Sequence, residues 1–347
     1  MSLIEHVDAA LALATLPGER LMVAVSGGSD SIGLLASLMP AAASRLVVGH
    51  VDHAVRKASA AGATFVASLA EDHDLPFALS TLPAAGPASE TTLRRLRWEA
   101  LTDLARRHGC AWVLAAHHAD DAFETALLHL LRGHRGARAL AGPPTARALA
   151  PGIGLLRPVL HGIAPPSRAD LAEARRAAGW PHIEDSSNQD TSIPRNRVRA
   201  LLAEDRAPLD RTRLLGVRQV ARAQLQQDLS RAVAALTADL SIHGRGAALG
   251  PRAIAALCGS PGVAVETLRL LGGCLAHPTA LIARRTILER LADGAGRSRG
   301  ELILPGHPRE VRLALGRDQW SLPEEGLAPG DRAARVLASL GRTSLHL

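Results

Sequence analysis

Through its first two hundred residues the chain alternates short apolar runs with longer stretches whose apolar residues recur at helical spacing. Leu21 to Val25, Leu46 to Val51, Phe77 to Leu82 and Trp112 to Ala116 have the length and composition of buried strands. Between them, Ser31 to Leu38, Ser59 to His73 and Ser89 to His108 have helical spacing and begin on serines suited to capping. Strand and helix in regular alternation predict an α/β fold, a doubly wound, mostly parallel sheet whose ligands bind at the carboxyl ends of the strands. The stretch Gly133 to Gly154 is so rich in Gly, Pro, Ala and Arg that it predicts a long loop or flap.

Beyond it, Arg168 to Ala178, Asn196 to Glu204 and Leu214 to Leu240 again have helical spacing, with a polar, turn-rich segment at Trp180 to Asn188. The composition shifts near Asp205 to Arg213, which places a domain boundary between 1–205 and 206–347. The second part, with short apolar runs at Leu302 to Leu304 and Val311 to Leu315, is expected to be a smaller, largely helical or mixed domain.

Composition narrows the class. At 347 residues and 47% apolar content the chain suits two domains with at least one full core. The longest apolar stretch, Ile32 to Ala43, is broken by Gly33, Ser37 and Pro40 before reaching the roughly 20 residues that span a bilayer, so no membrane partner is expected. No secretory signal pattern opens the chain, and Cys110, Cys258 and Cys274 form no Cys-x-x-Cys pair, which fits a cytoplasmic protein with reduced thiols. The formal net charge of +7 suits a polyanionic partner. It also fits codon bias, since Lys57 is the only lysine among many arginines and tyrosine is absent.

Three clusters carry candidate chemistry. Ser26-Gly27-Gly28-Ser29-Asp30-Ser31 stands between a strand and an apolar helix, where glycines let main-chain amides approach an anion at a helix N-terminus. No lysine follows, which disfavours transfer of a γ-phosphate. Asp30 beside that anion makes sense with an intervening Mg²⁺ or as a group orienting a reactant, the bland alternative being a helix cap. His117 to Thr125 lies at the end of a later strand, with Asp121 and Glu124 on one helix face and able to hold a cation jointly, or simply to complement the helix dipole. Glu184 to Asn188 precedes Arg195-Asn196-Arg197-Val198-Arg199, whose guanidiniums suit phosphate or carboxylate, or are solvated helix charges.

The first loop resembles that of the PP-loop ATP pyrophosphatases. The ordered set of Ser26 to Ser31, His50-Val51-Asp52-His53 with Arg56, Arg94-Arg95-x-Arg97-Trp98, His117 to Thr125, Arg132-Gly133, Arg157-Pro158, Glu184 to Asn188 and Arg195-Asn196-x-x-Arg199 is similar to the tRNA(Ile)-lysidine synthases over roughly residues 20–200. Departures are Ala54, where the family has glycine after His53, and an irregular segment after Gly133. The resemblance implies a PP-loop, Rossmann-like catalytic domain and a C-terminal tRNA-binding domain. It implies that ATP activates C2 of the wobble cytidine of a tRNA(Ile) with a CAU anticodon, and that L-lysine displaces AMP to leave lysidine. By the same resemblance Ser26 to Ser31 bind ATP, and Asp30 is catalytic and holds Mg²⁺. Asp121 and Arg199 are catalytic, Asp121, Glu124, Arg195 and Arg199 bind lysine, and Arg94, Arg95, Arg132 and Arg135 bind tRNA. A homodimer is compatible with this reading. A tRNA thiolase of the same superfamily and a non-catalytic nucleotide- or RNA-binding module are the alternatives.

Overall fold

The computed structural model describes residues 1–52, 58–82, 90–134, 136–162, 164–184, 194–203, 211–243, 246–258, 260, 262–264, 266–267, 300–304, 311–315 and 320–322. Its chain contacts divide it into two compact units, 1–135 with 139–219, and 136–138 with 220–347.

The first unit opens with α1 (Leu3–Ala14), started by a capping box in which Ser2 and Glu5 satisfy each other's main-chain N–H. Then follow β1 (Arg20–Ala24), α2 (Ser29–Ala42), β2 (Leu46–Asp52), α3 (Ala58–Asp72), β3 (Phe77–Thr81), α4 (Glu90–Arg107), β4 (Cys110–Leu114) and α5 (Ala119–Leu131). This is the alternation the apolar pattern predicts. The strands form a six-stranded sheet in the order β3-β2-β1-β4, continued by β6 (Ile153–Leu156) and β5 (Ala146–Ala150). All neighbours are parallel except β5 and β6, which pair antiparallel at the edge.

The expectation of a structureless Gly133 to Gly154 is therefore corrected. After α6 (Ala137–Ala141), the stretch makes a hairpin that extends the sheet, turning at Pro151-Gly152 with Gly152 at φ 74°. Proline presets the first turn position and glycine accepts the left-handed second, so the Pro and Gly content marks a tight turn rather than a loop.

The central strands are buried on both faces, as parallel strands under helices are. Leu21, Val23 and Val25 join α1, α2 and α3 in one core, while Met22, on the alternate face, packs with Trp98, Leu101 and Leu104 of α4. Helix α7 (Arg168–Ala177) lies against α2 so closely that a Cβ on Gly33 would come within 2.2 Å of the Leu171 carbonyl oxygen. Glycine at 33 is thus what brings the starts of α2 and α7 together. Because β2 and β4 flank β1 on opposite sides, the strand order reverses there, and a crevice opens at the carboxyl ends of β1 and β4. Helix α8 (Pro194–Ala203) packs on α5.

Helix α9 (Arg211–Asp239) leads to β7 (Leu240–His243), β8 (Gly246–Leu249), α10 (Pro251–Cys258), β9 (Gly300–Leu304), β10 (Val311–Leu315) and β11 (Trp320–Leu322). These strands form an antiparallel five-stranded sheet, β7-β8-β11-β10-β9.

Candidate functional site

The loop after β1 is held by its own serines. The Ser31 hydroxyl donates to the Gly28 carbonyl at 2.9 Å and accepts from the Ser26 N–H at 3.2 Å, while the Ser26 hydroxyl lies 3.4 Å from the Gly28 N–H. Gly27 sits at φ 91°, in the left-handed region, and its carbonyl accepts the Ile183 N–H at 2.9 Å. The turn-rich segment after α7 thereby buttresses the loop. Gly28 occupies the N-cap of α2 and brings no side chain to its first amides, which leaves main-chain donors and the positive end of the helix dipole for an anion.

Across the crevice, His117 and His118 are the last two residues before α5. His118 is fully buried among carboxylates, its Nε2 lying 3.4 Å from Asp30 Oδ2 and 3.5 Å from Asp121 Oδ2, and its Nδ1 3.4 Å from Asp120 Oδ2. The main-chain N–H of His118 donates to Asp121 Oδ2 at 3.1 Å, so Asp121 caps α5 as well as facing the imidazole. Asp120 accepts the Arg168 N–H at 2.8 Å, tying the start of α7 to α5.

Two guanidiniums complete the cluster. Arg199 grips Glu124 as a fork, Nε to Oε1 at 2.8 Å and Nη2 to Oε2 at 3.2 Å, and Glu124 is 1% exposed. Arg168 lies between acids, 3.5 Å from Asp30 and 3.7 Å from Glu124. Burial pushes the Asp30 carboxyl up, but the hydrogen bond and charge of His118 and the charges of Arg168 and Arg199 outweigh it, and the group stays below its ordinary value of 3.8. Asp30 is therefore ionised at neutral pH while a third of its side chain remains open, at 35% exposure.

The structure brings together Asp30, Asp121, Glu124 and Arg199 of the residues singled out in the sequence, with Ser26 to Ser31 beside them. Arg195 lies in the same helix as Arg199, but its side chain lies outside the described residues. Arg94 and Arg95 are exposed on α4, and Arg132 is exposed just after α5. Arg135, and 185–188 of the polar segment, lie outside the described residues. Sequence reasoning missed Arg168, which reads as an ordinary residue at a helix start. It also missed Arg175, whose Nε donates to the Ser29 hydroxyl at 3.3 Å. A signal was present for Arg168 in the capping box of Ser167 and Asp170, which fixes where α7 begins.

The PP-loop domain family matches residues 4–205 of the chain. A tRNA(Ile)-lysidine synthase from Novosphingobium aromaticivorans is 40% identical over 197 residues, covering 56% of this chain and 59% of that protein, so the match spans under two thirds of that relative. One from Methylobacterium nodulans is 35% identical over 295 residues, covering 78% of this chain and 79% of its own. Among solved structures, a U34-tRNA thiolase from Methanococcus maripaludis superposes with a TM-score of 0.50 at 11% identity, over 63% of this chain and 78% of that one, a likeness of fold alone.

Proposed function

This chain belongs to the tRNA(Ile)-lysidine synthases, within the PP-loop family, and we propose that it uses ATP to ligate L-lysine to C2 of the wobble cytidine, position 34, of tRNA(Ile) with a CAU anticodon. The products are lysidine, AMP and pyrophosphate, by way of an adenylated cytidine. The observation that carries this reading is the convergence, at the reversal point of the sheet, of an amide-lined loop with Asp30, Asp121 and Glu124 and with the cations Arg168 and Arg199. An anion site and an acidic site stand side by side there, as a reaction joining a nucleotide to an amine requires.

In this reading the loop Ser26 to Ser31 cradles the pyrophosphate of ATP through main-chain N–H groups, which stabilise negative charge as it builds on the leaving group. A magnesium ion takes oxygen donors, commonly one or two carboxylates with phosphate oxygens, and the ionised, partly open Asp30 fits that role. Bound there, Mg²⁺ would neutralise phosphate charge. The imidazole of His118 lies between Asp30 and Asp121 and holds the two carboxylates in position.

Asp121 and Glu124 receive the ε-ammonium of lysine, and Asp121 takes the proton that must leave before nitrogen can attack. Arg199, and Arg195 one turn earlier, hold the lysine carboxylate. A guanidinium carries five N–H donors, more than the two oxygens of Glu124 engage. Arg94, Arg95, Arg132 and Arg135 supply positive charge for tRNA. Sulfur transfer is poorly served by Cys110, the cysteine whose side chain is described, because it lies at the amino end of β4, opposite the crevice, and burial pushes its thiol pKa up.

The test is AMP release by the purified chain. AMP should be released only when ATP, L-lysine and the CAU-bearing tRNA are all present, whereas pyrophosphate, the leaving group of the adenylation step, should need only ATP and the tRNA. Turnover that ignores lysine or tRNA would refute the proposal.

A further inference from the structure

On the face of the sheet covered by α4, a cleft of about 670 Å³ lies between that helix and the edge strand β5, lined by Arg94, Arg95, Trp98, Arg106 and Arg147 among others. Two of these arginines pair with acids of their own helix on the surface, Arg95 with Glu99 at 2.7 Å and Arg106 with Asp103 at 2.6 Å. Arg147 does not. It has no carboxylate partner among the described residues, and its guanidinium lies over the indole of Trp98, 5.8 Å from the ring centre.

Around it the protein accumulates positive charge. Burial, and after it the charge of Arg94, lowers the pKa of Arg147. Behind them Arg157, 3% exposed, is pulled to about 9 by burial and then by Arg147 and Arg94, with Asp121 opposing. Its Nη1 donates to the Pro144 carbonyl at 2.8 Å, while its Nε and the indole N–H of Trp98 have no acceptor among the described residues. Among the described residues, Arg147 has no carboxylate opposite it and two buried donors beside it have no acceptor, which suits a surface built for an anion.

The cleft is also well placed. Arg147 pairs with Leu155 of β6, and Leu156 with Leu114 of β4, so Arg147 sits at the carboxyl end of the sheet, the end that carries the phosphate loop. Trp98 stacks on His117 with ring centres 6.4 Å apart, and His117 adjoins His118 in the acidic cluster. Through His117 the cleft thus adjoins the crevice that holds the reacting nucleoside in the reading above.

We propose that the cleft between α4 and β5 holds a phosphodiester next to the reacting nucleotide, gripped by Arg147 with Arg94 against the face of Trp98. This rests on the tRNA reading above, and it makes Arg147 a specific contact that the sequence does not single out. A triphosphate offers the same chemistry, so ATP and RNA are separated in the test.

Binding of the CAU-bearing tRNA to the full chain is measured across a series of KCl concentrations, beside the KM values for ATP and lysine. Arg147→Ala is expected to weaken tRNA binding about tenfold, the loss of one charge-assisted hydrogen bond. It should also reduce the slope of log K against log salt by about 0.7, one phosphate contact to a single strand. The KM for ATP and for lysine stay unchanged, Arg147→Lys restores the slope, and Arg106→Ala, whose charge is already paired, leaves it as in the wild type. An unchanged affinity and slope for Arg147→Ala would overturn the cleft assignment alone. So would a raised KM for ATP with tRNA binding intact, since the cleft would then serve the nucleotide. A wild-type chain that bound no tRNA would overturn the functional reading and the cleft with it.

Discussion

Two regions meet at the dipeptide His117-His118, and they treat charge in opposite ways. On the His118 side, Asp30, Asp120, Asp121 and Glu124 each lie at close range to a basic group, the imidazole or the guanidiniums of Arg168 and Arg199. On the His117 side, Arg94, Arg147 and Arg157 raise one another's electrostatic cost around Trp98. A cluster of paired acids and bases fixes side chains in position, as chemistry on a small substrate requires. An unbalanced one is completed by the counter-charge of a large anion. One turn of chain after β4 thus separates a place for reaction from a place for holding.

If that division is real, changes on the acidic side should act on turnover and those on the basic side on RNA affinity. The largest effect is expected for Asp30→Ala, which removes the carboxylate beside the phosphate loop. AMP formation should fall by about 10³-fold or more, with circular dichroism unchanged; near-normal AMP release would contradict the role. Asp121→Asn should lower lysine transfer by about 100-fold through loss of the proton acceptor, while tRNA binding stays within error. A variant with normal single-turnover lysine transfer would remove Asp121 from the mechanism.

Arg199→Ala removes the fork from the buried Glu124 and leaves the more distant Arg168 opposite it. Urea unfolding should report a loss of about 3 kcal/mol, the lower end for breaking a buried pair, and Arg199→Ala combined with Glu124→Gln should recover part of it. No loss of stability would mean that the fork counts for little. The smallest effect concerns acid. Because the folded Asp30 carboxyl lies below its ordinary 3.8, its contribution to stability is present above that value and is lost as pH falls through the folded one. Asp30→Asn should therefore show a shallower decline in stability below about pH 4, read from urea midpoints; curves of equal steepness would count against the charge network.

Much of this was legible in the sequence, for reasons that differ by residue. The first sheet was readable because its strands are apolar on both faces and its helices amphipathic, and the loop Ser26 to Ser31 because glycines between strand and helix have a distinct physical use. Asp121 and Glu124 were readable as one face of a helix. The hairpin at 146–156 was not, because Ala-Arg-Ala-Leu-Ala has little strand propensity and is held by pairing with its neighbour rather than by its own residues. The roles of Arg168 and Arg147 were hidden for a related reason, although the Ser167–Asp170 capping box marks where Arg168 stands. In a chain with so many arginines, what distinguishes these two is which carboxylates or cations tertiary packing sets beside them, and spacing along the chain does not record that.

The central claim is that the acidic cluster and the phosphate loop serve one reaction at one nucleoside. Nucleoside mass spectrometry of the CAU-bearing tRNA after incubation with the chain tests it most directly. The account predicts lysidine at position 34, formed only with both ATP and L-lysine and absent with Asp30→Ala. Cytidine left unmodified at that position while ATP is consumed, or a thiolated nucleoside in its place, would contradict it.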